Sequence, residues 1–397
     1  MSKTERAVLL VLACVNFTHI MDVMIIMPLG DVFMNTFKIK PAQFSYLVSA
    51  YAVGAFVSSM ISVFLLDRFD RKKALLFVYT GFTIGTFLCG LANSYLLLIS
   101  MRFVTGLFGG VIGALALSII SDVFSYERRG AAIGVLMAGF SAAAALGVPF
   151  GLLLSEYFSW NAPFICIGSI GIILITLIAV RFPRFVNHLH REGPFPFVRV
   201  ITNIVYDRNQ LSALLLGMIL VLGHYMIIPF IAPYMTRNVG FSQTEIIYIY
   251  FLGGIFTVFS APLIGRLTDR FSPFPTFVVT MGLSFVPVIW ITNMSPTPVP
   301  VALIATSLLF VLGSGRLIAP QTMITAAVGP HSRGSFMSIK SALQQLSIAL
   351  ASLISGAIIV LGNEGSLQNY PFVGYLSILL CLVAVMIAPI LKVAPGN

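Results

Sequence analysis

Charged side chains are scarce in this sequence. Asp, Glu, Lys and Arg together make up 9% of its 397 residues, where a water-soluble domain carries about 25%. That shortage excludes a fold that meets water on all sides. Alternating polar and apolar residues are also missing from the long apolar runs, such as 165–180, which excludes a transmembrane β-barrel. Cysteine is limited to Cys14, Cys89, Cys166 and Cys381, each inside an apolar stretch, with no paired spacing for a disulfide framework or a metal site. No lysine follows the glycine of a phosphate-binding loop, and the H-E-x-x-H pattern is absent. The histidines, His19, His188, His190, His224 and His331, fall mainly in separate elements, and the pair His188 and His190 reads better as a solvated loop than as a metal site. An enzyme, a nucleotide-driven pump and a resident metal or cofactor are therefore not expected.

What the sequence does have is hydrophobic length: 58% of its residues are apolar. A bilayer crossing takes about 20 apolar residues, and runs separated by turn residues place helices near 7–29, 44–66, 74–92, 96–121, 131–154, 161–180, 211–235, 245–265, 275–292, 300–327, 336–361 and 371–391. The net charge of +10 is scattered through short loops rather than gathered on one face, which argues against a nucleic-acid partner. Topology accounts for it. Of the 23 Lys and Arg, only Lys38, Lys40 and Arg237 fall in outer segments when both termini are placed in the cytoplasm, and Arg102, Arg316 and Lys340 fall within spans. That bias follows the positive-inside rule. The expected protein is all-α and multi-pass, in a bacterial inner membrane.

A polar stretch at 181–210 carries GPFPF, which no helix can continue through, and divides the chain into 1–180 and 211–397, six spans each. The halves repeat weakly: Asp22, Met24, Ile25 and Ile26 answer His224, Met226, Ile227 and Ile228, while Asp67 and Arg68 answer Asp269 and Arg270. Two pseudo-symmetric six-helix bundles are a recurrent transporter plan.

At these residues the sequence resembles the major facilitator superfamily, in particular its twelve-helix drug:proton antiporters of the arabinose- and chloramphenicol-efflux type. The loop LLDRFDRKKALL is similar to the family's charged loop through Asp67, Arg68, Arg71 and Lys72, with Val63 and Asp70 standing where the family has glycine. RFVTGLFGG on the fourth span is similar to a second family element through Arg102, Gly106 and Gly110. GVPFG on the fifth looks like the antiporter glycine-proline motif through Gly147, Pro149 and Gly151. The resemblance implies a cytoplasmic gate in which Asp67, Arg68 and Arg71 latch onto Asp122, with a solvated basic loop as the plainer alternative. It also implies a central cavity lined by spans 1, 4, 7 and 10.

Charge inside a bilayer costs at least about 2.5–3.5 kcal/mol per group, so such residues face a partner or a wet cavity. Asp22 and Arg102 lie at matching depth, roughly 10 Å below the outer surface at about 1.5 Å per residue, and can pair. Asp22 is the leading proton carrier, with Arg102 favouring its charged form when paired; a static ion pair is the alternative. His224, at the repeat position of Asp22, and His19, one turn before it, are the other proton-handling candidates, unless each is a neutral hydrogen-bonding histidine. Arg316 sits mid-span and is expected to meet an anionic substrate group or a carboxylate, whereas Lys340 is expected to snorkel to the cytoplasmic surface. Asn16, Tyr51, Tyr225, Gln321, Gln344 and Gln345 would add hydrogen bonds in the cavity, though helix–helix contacts explain them equally well.

The function expected from all this is proton-driven export of small amphipathic molecules or drugs by alternating access, by a monomer whose only partners are substrate, protons and membrane lipids. A proton-coupled importer, a facilitator and a lipid flippase share the same fold and stay open.

Overall fold

The computed structural model describes residues 3–65, 69–183, 202, 204–329, 333–363 and 365–394. Among the described residues twelve helical spans are long and apolar enough to cross a bilayer. Helix is the natural choice there, because hydrocarbon offers no partner for a backbone N–H or C=O and a helix satisfies both internally. Two compact units form, one from the described residues of Met1–Ile26 and Ala50–Phe197, the other from those of Met27–Ser49 and Val198–Asn397.

Unit 1 contains α1 (Lys3–Ile25), the later part of α3 (Pro41–Leu65), α4 (Arg71–Gly90), α5 (Tyr95–Val123), α6 (Tyr126–Ala142), α7 (Val148–Tyr157) and α8 (Ala162–Arg181). The first span ends at Ile25 rather than continuing to 29, since Pro28 cannot donate to the helical ladder and disfavours helix just before itself. Ser94 accepts from Leu97 N to cap α5. α6 runs through a π-helical turn, Ala143–Gly147, into α7, whose first turn contains Pro149. Its core packs Val8, Leu12 and Val15 of α1 against Tyr79 and Phe82 of α4 and Ile112, Leu115 and Ile119 of α5.

Unit 2 contains α2 (Gly30–Phe37), the start of α3, α9 (Arg208–Tyr225), α10 (Ile231–Tyr234), α11 (Gln243–Phe271), α12 (Pro273–Thr292), α13 (Val299–Ala326), α14 (Arg333–Ile358) and α15 (Tyr370–Ile387). Residues 27–49, although they precede most of the first six spans, therefore group with the later spans. The span expected at 211–235 is broken after Tyr225: a 3-10 turn, Ile228–Phe230, leads into α10 and a π-turn, Met235–Val239. Pro229 and Pro233 remove two backbone donors there. Asp207 caps α9, and Ser242 with Glu245 forms a capping box on α11. A two-residue hairpin, β1 (Val360–Leu361) with β2 (Leu367–Gln368), joins α14 to α15. The core gathers Leu216 and Leu220, Phe277 and Met281, Ile324, Phe336 and Cys381. Large apolar side chains such as Phe77, Leu96, Phe259 and Met386 are exposed, as lipid-facing residues should be.

Candidate functional site

The polar centre of unit 1 is assembled from four helices. His19 and Asp22 are three residues apart on α1 and so share one face. Asp22 is fully buried and Arg102 of α5 is 1% exposed; Arg102 Nη1 donates to Asp22 Oδ2 at 2.8 Å. Thr86 of α4 donates to the other carboxylate oxygen at 3.1 Å. The guanidinium lies 4.7 Å above the ring of Tyr51, and the Tyr51 hydroxyl is 2.9 Å from His19 Nε2. His19 Nδ1 and Arg102 Nε have no partner among the described residues. The chain of contacts His19, Tyr51, Arg102, Asp22, Thr86 thus links α1, α3, α4 and α5.

The glycines of α5 explain how Tyr51 reaches this place. A Cβ on Gly106 would overlap the Tyr51 carbonyl oxygen, and one on Gly109 would overlap its hydroxyl. Gly110 meets the Ala55 carbonyl in the same way, and on α3 Gly54 meets the Phe103 carbonyl. Small residues here let two backbones touch, the means by which membrane helices associate tightly. Gly139, Gly147 and Gly151 serve α1: a Cβ on each would crowd Ala13, Phe17 and Ile25 respectively. The fifth span therefore packs closely on α1.

Asp67 and Arg68 lie outside the described residues. Of the same charged loop, Arg71 is buried and its Nε lies 3.5 Å from Asp122 Oδ2 at the end of α5. Asp70, which replaces a family glycine, accepts from Lys72 N and caps α4. Lys72 Nζ in turn donates to the carbonyls of Ala179 and Phe182 at the end of α8, where cations favour the exposed carbonyl groups. Asn16 is buried and donates to the Leu136 carbonyl at 3.0 Å, a bond between α1 and α6.

Unit 2 holds a second polar set. Arg316 of α13 is 2% exposed, as its mid-span position implies, and its Nη2 meets Cys381 Sγ of α15. His224 stacks edge-on with Tyr225 and sits against Gly313. Lys340 does not snorkel: it is 5% exposed, because its face of α14 is turned toward α9 and α13, and its Nζ donates to Gln321 Oε1. Gln321 also donates to Thr325. Gln344 and Gln345 are half-buried.

A third cluster was not singled out by the sequence. Asp31 of α2 is 4% exposed and pairs with Arg237, which also donates to Asn35 Oδ1 at 2.6 Å and to the Gly365 carbonyl at 3.2 Å. Asn238 exchanges two hydrogen bonds with the backbone of Leu367. Only the pairing of an outer acid with an outer arginine hinted at this, and nothing local could choose between Arg237 and the nearer Lys38 and Lys40. Thr86 carried no signal either, being one hydroxyl in an apolar run.

Comparison with known proteins agrees with the geometry. The Major Facilitator Superfamily profile matches residues 12–208 and 213–396. An uncharacterized MFS-type transporter, YbcL of Bacillus subtilis, is 22% identical over 374 residues, covering 94% of this chain and 93% of the relative. A probable sugar efflux transporter of Helicobacter pylori is 25% identical over 234 residues, 59% of this chain and 58% of that one. Among solved structures, a bacterial homolog of the human lysosomal transporter Spinster, inward-facing and unoccupied, superposes with a TM-score of 0.78 at 19% identity, covering 98% and 97% of the two chains. With its twelve spans and a profile match along nearly its whole length, the chain belongs to the Major Facilitator Superfamily, a family of membrane transporters and not of enzymes.

Proposed function

We propose that this transporter is a proton-coupled exporter of small amphipathic molecules, working as a monomer by alternating access in a bacterial inner membrane with both termini in the cytoplasm. The proton gradient supplies the energy and no cofactor takes part. One observation carries the reading: a carboxylate with no solvent exposure, inside a helix apolar enough to span a bilayer, whose described partners are one arginine and one hydroxyl. A charge in that position is costly unless it has work to do.

When Asp22 takes a proton, the ion pair with Arg102 becomes a bond from a charged donor to a neutral acid, and the ion–ion attraction between them is lost. The guanidinium keeps the face of Tyr51, so the arginine is freed from one helix without losing its place on another. His19, bonded to the Tyr51 hydroxyl, adds a proton acceptor one turn away. Export over import is supported by the helix-5 glycine-proline motif packed on α1 and by the sugar efflux transporter among the relatives. The pairing of Arg71 with Asp122 supports a gate at the cytoplasmic end.

Everted membrane vesicles energised to an acid interior provide the test. A panel of radiolabelled sugars, amphipathic acids and amphipathic amines is added in turn, and the lumenal proton concentration is followed with a fluorescent weak base. At least one compound is expected to release lumenal protons while accumulating, and the Asp22→Asn protein should do neither. Uphill accumulation by Asp22→Asn would remove Asp22 as the obligatory carrier, and substrate uptake without proton release would exclude antiport.

A further inference from the structure

Among the described residues unit 2 buries two cations in its spans, Arg316 and Lys340, and neither meets a described carboxylate. Arg316 is 2% exposed; it donates to the Cys381 sulfur, and its Nε has no partner among the described residues. Lys340 is 5% exposed and its ammonium is bonded to an uncharged amide, that of Gln321. The described acids of this unit are engaged elsewhere or lie at the surface. Asp31 holds Arg237, Asp207 caps α9, Glu245 caps α11 and Asp269 is exposed. Unit 1 shows the contrast, since its buried Arg102 is matched by Asp22.

His224 of α9 and Lys340 of α14 each pack where α9 meets α13, the helix that carries Arg316. A Cβ on Gly313 would lie 3.2 Å from the His224 ring, and one on Gly217, two turns earlier on α9, would lie 3.4 Å from Lys340 Cε. Lys340 then reaches Gln321, little more than a turn beyond Arg316 on α13. Buried charge without a counter-ion is unstable, and the missing counter-ion is an anion. A guanidinium offers its N–H groups as a planar fork that fits a carboxylate, sulfonate or phosphate with two parallel bonds.

We propose that Arg316, flanked by Lys340 and His224, binds an acidic group of the transported molecule, so that the cargo is an organic anion. The proposal rests on the transport reading above but not on the coupling role of Asp22. A lipid headgroup is not the occupant, because Arg316 stands well inside the 28-residue span of α13, at a depth headgroups do not occupy.

Cys381, in contact with Arg316, is the reporter. In a protein carrying Cys14→Ser, Cys89→Ser and Cys166→Ser, in reconstituted liposomes, conversion of Cys381 to a mixed disulfide, with release of methanesulfinate, is timed with anionic sulfonatoethyl and cationic trimethylammonioethyl methanethiosulfonate, each normalised to its rate with a free thiol. The anionic reagent is expected to react at least about tenfold faster, one decade for a modest local potential. Arg316→Gln should cut that preference below about threefold, and Lys340→Met should lower it in part. Equal rates, a faster cationic reagent, or a thiol that reacts only after unfolding would each overturn the proposal, and the parent protein alone suffices to decide this. In an Asp22→Asn background the anion preference should persist, which separates this proposal from the coupling scheme.

Discussion

Breaking the Asp22–Arg102 pair one residue at a time, and then together, measures what holds unit 1 around its buried charges. Arg102→Gln leaves a fully buried carboxylate whose remaining described partner is the Thr86 hydroxyl at 3.1 Å; an uncompensated buried charge of this kind costs about 3–5 kcal/mol. Asp22→Asn is milder. Its amide oxygen still accepts from Arg102, and the guanidinium keeps the Tyr51 face at 4.7 Å, a contact worth about 0.5–2 kcal/mol. What is lost is the counter-ion of a buried cation, and these two contacts reduce that loss to about 1–3 kcal/mol. The double variant, Asp22→Asn with Arg102→Gln, buries two neutral amides that can bond each other and should lie within about 2 kcal/mol of the parent. The single losses sum to about 4–8 kcal/mol against at most about 2 for the double variant, so the cycle predicts a coupling energy of at least about 2 kcal/mol. Unfolding of the purified protein by sodium dodecyl sulfate in mixed micelles, followed by circular dichroism, gives the four free energies. Single variants that sum to the double within about 0.5 kcal/mol would show that the two side chains do not act as a pair. Stability recovered in the double variant without uphill transport would separate the fold from the coupling, as expected.

The glycines of α5 and the cluster around Arg237 yield two more predictions. Gly106→Ala drives a methyl into the Tyr51 carbonyl, whereas Gly113→Ala meets nothing within 4 Å; the first should cost about 1–3 kcal/mol in the same unfolding assay and the second should be neutral or slightly stabilising, so equal effects would contradict the close approach of α3 and α5. Arg237→Gln leaves Asp31 buried without its cation and should speed amide exchange in α2 by at least about tenfold while leaving α4 unchanged; uniform exchange across the protein would mean that this cluster does not anchor α2.

How much of this was legible in the sequence follows from what a bilayer demands. Apolar length and charge scarcity fixed the number of spans, since about 20 apolar residues and a satisfied backbone leave no alternative. The few ionisable residues inside the spans were conspicuous against that background, and matching depth made Asp22 and Arg102 candidates to pair, as they do in the fold. Proline positions were legible locally but not in effect. Pro28, Pro229 and Pro233 ended or broke helices that hydrophobicity alone carried through.

Only tertiary structure decided which way each helix is turned. A soluble helix announces its buried face by its polar one, but a membrane helix is apolar toward lipid and protein alike, so no periodicity marks the seam. That is why Lys340 reads as a snorkelling residue in sequence and is buried against Gln321 in the fold. It is also why Thr86, the Tyr51 ring beneath Arg102, and the bond from Arg237 to Asp31 became visible only once the helices were packed. Each joins residues far apart in the chain, and their meeting depends on rotations about helix axes that composition and spacing do not encode.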